Sequence, residues 1–161
     1  MYDIKRIEYY IKHPEELKLS KWLLYNLDCT LEGRKRCGGK CCKGHTNNET
    51  KGQTHVQYME DELKHLPVSF KEHIIDGVVQ NRNGVCELIE LCLKYPQHKP
   101  IECKLAPLTI TNGRLVIQYA TIHPKAGCPN FKKGNYVYIT MKDNLIDIFG
   151  QEFYDRLVKE L

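Results

Sequence analysis

The sequence predicts an α+β fold in one small domain, with helices at both ends, short hairpins between them and a metal-organised, cysteine-rich loop core. Three observations predict it. Apolar residues recur at helical spacing towards both ends of the chain. Asparagine-glycine pairs interrupt β-branched runs in the second half, the chemistry of tight hairpin turns. Residues 30–53 carry five glycines among charges and three cysteines, which is loop composition with a candidate organiser inside it.

Each element follows in order. Residues 14–25 open with Pro14, Glu15 and Glu16 and continue with Leu17, Leu19, Trp22, Leu23 and Leu24, so they predict a helix with a proline and acids in its first turn. The residues before it form a short helix or strand. Helical patterning resumes over 58–66, and again after Pro67 through Phe70, Ile74, Ile75 and Val78. Gln80-Asn81-Arg82-Asn83-Gly84, between Val78-Val79 and the 85–88 run, is a turn signal that predicts one small hairpin. Asn112-Gly113, between 108–110 and 115–119, predicts another, and Tyr136 to Ile139 reads as a further strand. Residues 144–161 close the chain as an amphipathic helix with Leu145, Ile148, Phe149, Phe153, Leu157 and Leu161 along one side.

At 161 residues and 42% hydrophobic, the chain can form a single domain over 1–161, since a domain of this size buries about 68–70% of its unfolded surface. Metal is then not a substitute for a core, though it can order the cysteine-bearing loops. The 24 basic and 20 acidic residues are interspersed, giving a net charge of +4. A nucleic-acid binder concentrates its cations on one face. The densest local group, Arg34, Lys35, Arg36, Lys40 and Lys43, surrounds cysteines and is read as offsetting thiolate charge rather than as a phosphate site. Charges throughout residues 1–8 leave no room for the apolar core of a secretion signal, and no run of about 18 apolar residues offers a membrane span. The expectation is a cytoplasmic protein with no membrane partner.

In a reducing cytosol disulfides are rare, so eight cysteines point to metal or redox chemistry. They fall into groups: Cys29; Cys37 with the adjacent pair Cys41-Cys42; Cys86, Cys92 and Cys103; and Cys128. Thiolates are soft ligands that suit zinc, copper(I) and iron–sulfur centres. Gly38-Gly39 lets the backbone turn so that Cys37 and Cys41 converge on one ion at about 2.3 Å. The adjacent pair argues against a disulfide framework, because neighbouring side chains project in different directions. Against this stands ordinary burial, free cysteine being among the most buried residue types, a reading that applies most to Cys92 between Leu91 and Leu93. His45 and His98 lie near cysteines and are candidate imidazole ligands. Glu60, Asp61 and Glu62 read as the acidic first turn of a helix before they read as ligands. No nucleophile triad, Walker loop or dinucleotide fingerprint is present.

The run Cys37-Gly38-Gly39-Lys40-Cys41-Cys42 resembles the opening motif of the zinc- or iron-chelating cysteine-cluster (CxxCxxCC) family. Cys86, then Cys92-Leu93-Lys94-Tyr95, then Lys99-Pro100-Ile101-Glu102-Cys103 and Pro107 are similar to that family's later cysteine, tyrosine and basic-proline run. The resemblance covers about residues 29–128. The chain departs from it in having Lys99 for the usual Arg, one extra residue between Tyr95 and Pro100, and Ala106 for an aromatic. What the resemblance implies is a metal-binding protein, holding zinc or iron, with an iron–sulfur cluster as one form, on Cys29, Cys37, Cys41, Cys42, Cys86, Cys92, Cys103 and Cys128. It assigns no reaction, so whether the chain is an enzyme stays open. The competing readings are an iron–sulfur or iron-dependent enzyme and a nucleic-acid-binding zinc module, the charge distribution disfavouring the second. The partners expected are metal ions, together with an unidentified protein.

Overall fold

Asp76-Gly77, Asn83-Gly84 and Asn112-Gly113 each place two successive residues at positive φ and set the strand topology in the computed structural model, which describes residues 4–29, 53–118 and 128–161. That pairing of signs is what a two-residue hairpin matched to the strand twist requires. The described residues divide into two units, one holding 53–104 and the other most of the remainder. Both mix helices with small antiparallel sheets, and helices stand at both ends, so the class is α+β.

In the first unit β2 (Gln53–Gln57) and β3 (Ile74–Ile75) both pair with β4 (Val78–Arg82), and β5 (Val85–Cys86) pairs with its far end. Gln80 ties these pairings together. Its N–H donates to the His73 carbonyl at 2.9 Å and its carbonyl accepts from Glu87 N–H at 3.1 Å. The register of β2 on β4 shifts between Gln53 and Gln57. Thr54 serves that irregularity: its buried hydroxyl donates to the Val79 carbonyl and accepts from Val56 N–H, so no donor is stranded. The helices α2 (Glu60–His65), α3 (Val68–Lys71), α4 (Ile89–Lys94) and α5 (Ile101–Leu105) alternate with these strands along the chain. Val56, Tyr58, Leu66, Phe70, Val79, Leu88 and Cys92 form the core, with Leu63, Ile74, Cys86, Leu91 and Cys103 packed against it.

The second unit contains most of α1 (Ile4–Lys12), the ribbon of β1 (Asn26–Leu27) with β8 (Phe131–Tyr136), the hairpin β6–β7 (Leu108–Thr111 and Arg114–Ile117), and the C-terminal helices. Its core is dense in leucine, including Leu17, Leu23, Leu27, Leu108, Leu115, Leu145 and Leu157. Arg156 donates to the carbonyls of Pro14 and Leu17 at 2.8 and 3.0 Å, fastening the last helix to the N-terminal turn.

Five elements depart from the expectation, the first being the turn expected over residues 80–84, which is confined to Asn83-Gly84 because Gln80, Asn81 and Arg82 continue the strand Val78–Arg82. Residues 14–25 are not one helix but two 3₁₀ turns, Pro14–Glu16 and Lys21–Leu24. The break is tertiary: Lys18 donates to the Gly113 carbonyl and accepts from Leu115 N–H, each at 2.9 Å, and that bridge needs extended backbone. The helix predicted through Val78 ends at Lys71, because Asp76-Gly77 turns the chain and Ile74-Ile75 pair as a strand. The strand expected at 136–139 lies earlier, at Phe131–Tyr136, and Val137–Thr140 is a helical turn whose first N–H donates to the Tyr25 carbonyl. Residues 144–161 form two helices, Lys142–Phe149 and Gln151–Glu160, divided at Gly150 with φ +92°.

Candidate metal centre

Three of the predicted cysteines reach the core of the first unit from three elements. Cys86 ends β5, where its residue pairs with Asn81; Cys92 lies on α4; and Cys103 lies on α5. Local geometry fixes each. The Asn83-Gly84 turn returns the chain so that Cys86 packs against the core, and the Leu88 amide hydrogen-bonds its sulfur. Cys92 sits one helical turn after Leu88, its N–H donating to the Leu88 carbonyl at 2.8 Å, and is 7% exposed. Cys103 stands in the first turn after Pro100, whose carbonyl accepts from its N–H at 2.9 Å.

Tyr58 links the two helices that bear thiols. It is buried, and its hydroxyl donates to the His98 carbonyl at 2.7 Å, holding the Pro96–His98 turn between α4 and α5. The His98 ring itself lies edge-on to Phe70, with ring centroids 5.4 Å apart.

Burial pushes the Cys92 thiol up to about 11 and raises Cys86 and Cys103 as well. The sulfurs are close enough that charge on one is felt by another: Cys86 raises Cys92, and both raise Cys103. Lys99 opposes the shift at Cys92 and Cys103, as a cation beside thiolates should. Burial raises Tyr58 too, followed by the negative charge of the three thiolates and of Glu62. All three thiols are therefore protonated at neutral pH in the metal-free chain, and an ion binding them must displace protons.

Two carboxyls border this interior. Glu62 belongs to the acidic first turn of α2 and accepts from Met59 N–H at 2.8 Å, the capping role its position predicts. Burial raises its pKa nonetheless. Glu102, next to Cys103, is 8% exposed, and neither of its carboxylate oxygens has a hydrogen-bond partner. Burial lifts it to about 7; the Gln57 amide offsets part of this without a hydrogen bond of good geometry, and Glu62 adds to it. Nothing in the residues around it marks Glu102 as buried, since a glutamate after a proline-led helix start ordinarily faces solvent.

The remaining predicted residues lie elsewhere. Cys29 and Cys128 are half-buried in the second unit at one end of the β1–β8 ribbon, where Leu27 pairs with Phe131. Cys37, Cys41 and Cys42, with His45, lie outside the described residues. No disulfide joins any two of the five described cysteines.

As a donor set, one buried and two half-buried thiols fit a borderline or soft divalent ion. The thiols do not stand at ligand distance: among the described residues, the one group with three donor atoms within 4.8 Å of one another is His13, Glu15 and Glu16. That group is largely exposed, and Glu16 already accepts the Tyr9 hydroxyl at 2.5 Å. Exposed carboxylates commonly approach this closely with no ion. A tetrahedral ion with metal–sulfur bonds of about 2.3 Å needs sulfurs about 3.8 Å apart, so metal would draw the trio together. Among the described residues no helix is long and apolar enough to cross a membrane. Comparison with family models, with curated proteins and with solved structures finds no match.

Proposed function

We propose that this chain binds a metal ion, zinc or iron, through clustered cysteine thiolates, in the cytoplasm. The observation that carries the reading is the arrival of Cys86, Cys92 and Cys103 at one core from three separate elements, with no disulfide among them. Three thiols hydrophobic enough to bury are not by themselves a metal site. What favours metal is the company they keep: Lys99 as a cation acting on two of them, and Glu102 with two unsatisfied oxygens in the same interior. An apolar packing role explains neither.

The bound ion would supply charge that ionises the thiols at neutral pH. The chain's own part is to position them: Tyr58 holds the turn between α4 and α5, the Leu88 amide favours the Cys86 thiolate, and the leucine and phenylalanine side chains of the core exclude water. Cys29, Cys37, Cys41, Cys42 and Cys128 are proposed as further ligands, in numbers that allow a second ion.

Purification of the full chain without added metal and without oxygen, followed by elemental analysis and an absorption spectrum, tests the reading. Zinc or iron at one equivalent or more is expected. A content below about half an equivalent of any transition metal removes it, since a structural thiolate site holds its ion through purification. A brown preparation that bleaches with dithionite moves the assignment to an iron–sulfur protein, while a colourless zinc-loaded one discards that alternative.

A further inference from the structure

The second unit gathers aromatic rings and lysines on one surface. Trp22 and Tyr25 stack with ring centroids 4.8 Å apart, and Tyr25 stacks in turn on Phe131 at 6.0 Å, within 16° of parallel. Tyr136 and Tyr138 form a second stack at 6.1 Å and 16°. The fold makes the two stacks neighbours: Val137 N–H donates to the Tyr25 carbonyl at 2.8 Å, and Asn26 pairs with Tyr136 on the β1–β8 ribbon. Leu24, Tyr25, Tyr136 and Ile139 all lie here, four of the six large apolar side chains exposed among the described residues of this unit.

Near-parallel rings touch at about 3.5–4.0 Å, so the 6.0 Å between Tyr25 and Phe131 includes a sideways slip of about 4.5 Å. Each ring therefore leaves part of its face uncovered by its neighbour, and Tyr25 and Tyr136 are each 41% exposed. Between Phe131 and Tyr136 the chain bulges out of the ribbon: Leu27 pairs with Phe131 and Asn26 with Tyr136, so residues 132–135 have no place in the ladder. That bulge carries Lys132 and Lys133, both exposed, with the Lys132 ammonium 5.9 Å from the centre of the Phe131 ring. Asp28 lies against Gly134 and is half-buried. Lys21, also exposed, opens the 3₁₀ turn that bears Trp22. Cations dispersed along the sequence are thus brought together beside the rings.

We infer that this surface binds single-stranded nucleic acid, with bases stacking on the staggered rings and phosphates lying on Lys21, Lys132 and Lys133. Two properties select this ligand. Every unpaired base offers a π-face that takes such a ring regardless of sequence, and a phosphodiester backbone matches exposed lysines interleaved with the rings. A duplex keeps those faces stacked inside. A lipid surface also attracts aromatics and lysines, but it would have to take up the Lys132-Lys133-Gly134-Asn135 bulge, which has no apolar side chain to insert. No thiol takes part, so the inference stands apart from the metal reading.

Trp22 is the chain's one tryptophan, so its emission reports on this surface. The reduced full chain is titrated with an oligothymidylate of about 20 nucleotides, with a duplex of the same length, and with vesicles of phosphatidylserine and phosphatidylcholine. The single strand should quench Trp22, bind more tightly than the duplex, and lose affinity steeply as salt rises from about 50 to 200 mM. Lys132→Glu combined with Lys133→Glu should weaken binding about 10-fold or more. Tyr25→Ala should weaken it about 5-fold or more, and the lysine pair carries the test if that variant fails to fold. No quenching by the single strand, quenching unchanged by the lysine reversals, or quenching by the vesicles alone overturns the inference.

Discussion

The Tyr58 hydroxyl donates to the main-chain carbonyl of His98 at 2.7 Å, and through that bond the segment following β2 holds the turn between the two helices that carry Cys92 and Cys103. Tyr58→Phe keeps the ring in the core and deletes the bond. It should lower the stability of the metal-free chain by about 1 kcal/mol, with the carbonyl left partly unsatisfied. It should also weaken metal binding, since α4 and α5 would no longer be held in register. Urea unfolding and chelator competition on the same variant check the two halves.

Metal uptake should strengthen as pH rises. Burial raises all three thiols, Cys92 to about 11, so at neutral pH each holds a proton that the ion must displace. Below those pKa values the affinity gains up to about one decade per pH unit for each thiol that ionises. Zinc titrations between pH 6 and 8 should show this slope, with protons released to a weak buffer. A pH-independent affinity would mean that these thiols are not ligands.

Glu102 makes the metal-free chain less stable as pH rises. Its folded pKa of about 7 stands above the ordinary 4.5, so the unfolded chain loses this proton first. The group's stabilising contribution is complete below pH 4.5 and is lost as pH climbs through 7, a swing of about 3 kcal/mol. Glu102→Gln should flatten that part of the profile and stabilise the apo chain above pH 7. Denaturant midpoints across the range give the comparison.

Gly113 is more closely approached than Gly77 among the hairpin glycines. Its φ is +71°, and a Cβ placed there would lie 2.7 Å from the Tyr10 hydroxyl, while its carbonyl accepts from Lys18 N–H. Gly113→Ala should cost about 1–3 kcal/mol through left-handed strain and displacement of Tyr10. A thermal melt showing no loss would place the turn in a different conformation.

The sequence disclosed those parts of the fold that rest on local chemistry. Asn83-Gly84 and Asn112-Gly113 announce their hairpins because the turn itself selects these residues. Asp76-Gly77 has the same chemistry but was hidden, since Phe70, Ile74, Ile75 and Val78 are spaced as a helix would space them. The 3₁₀ turns at 14–24 were not legible, because what breaks the helix is the pairing of Lys18 with residues near 114, far along the chain. In the candidate site, cysteine chemistry singled out Cys86, Cys92 and Cys103. The doubt over Cys92 had a real basis, for it is both a core residue and a neighbour of the other thiols. Glu102 was silent because burial is a tertiary property that its flanking residues do not encode.

X-ray absorption at the metal edge of the chain as isolated reads directly whether thiolates hold the ion. A first shell dominated by sulfur at about 2.3 Å is expected. A shell of nitrogen and oxygen alone at about 2.0–2.1 Å would contradict it.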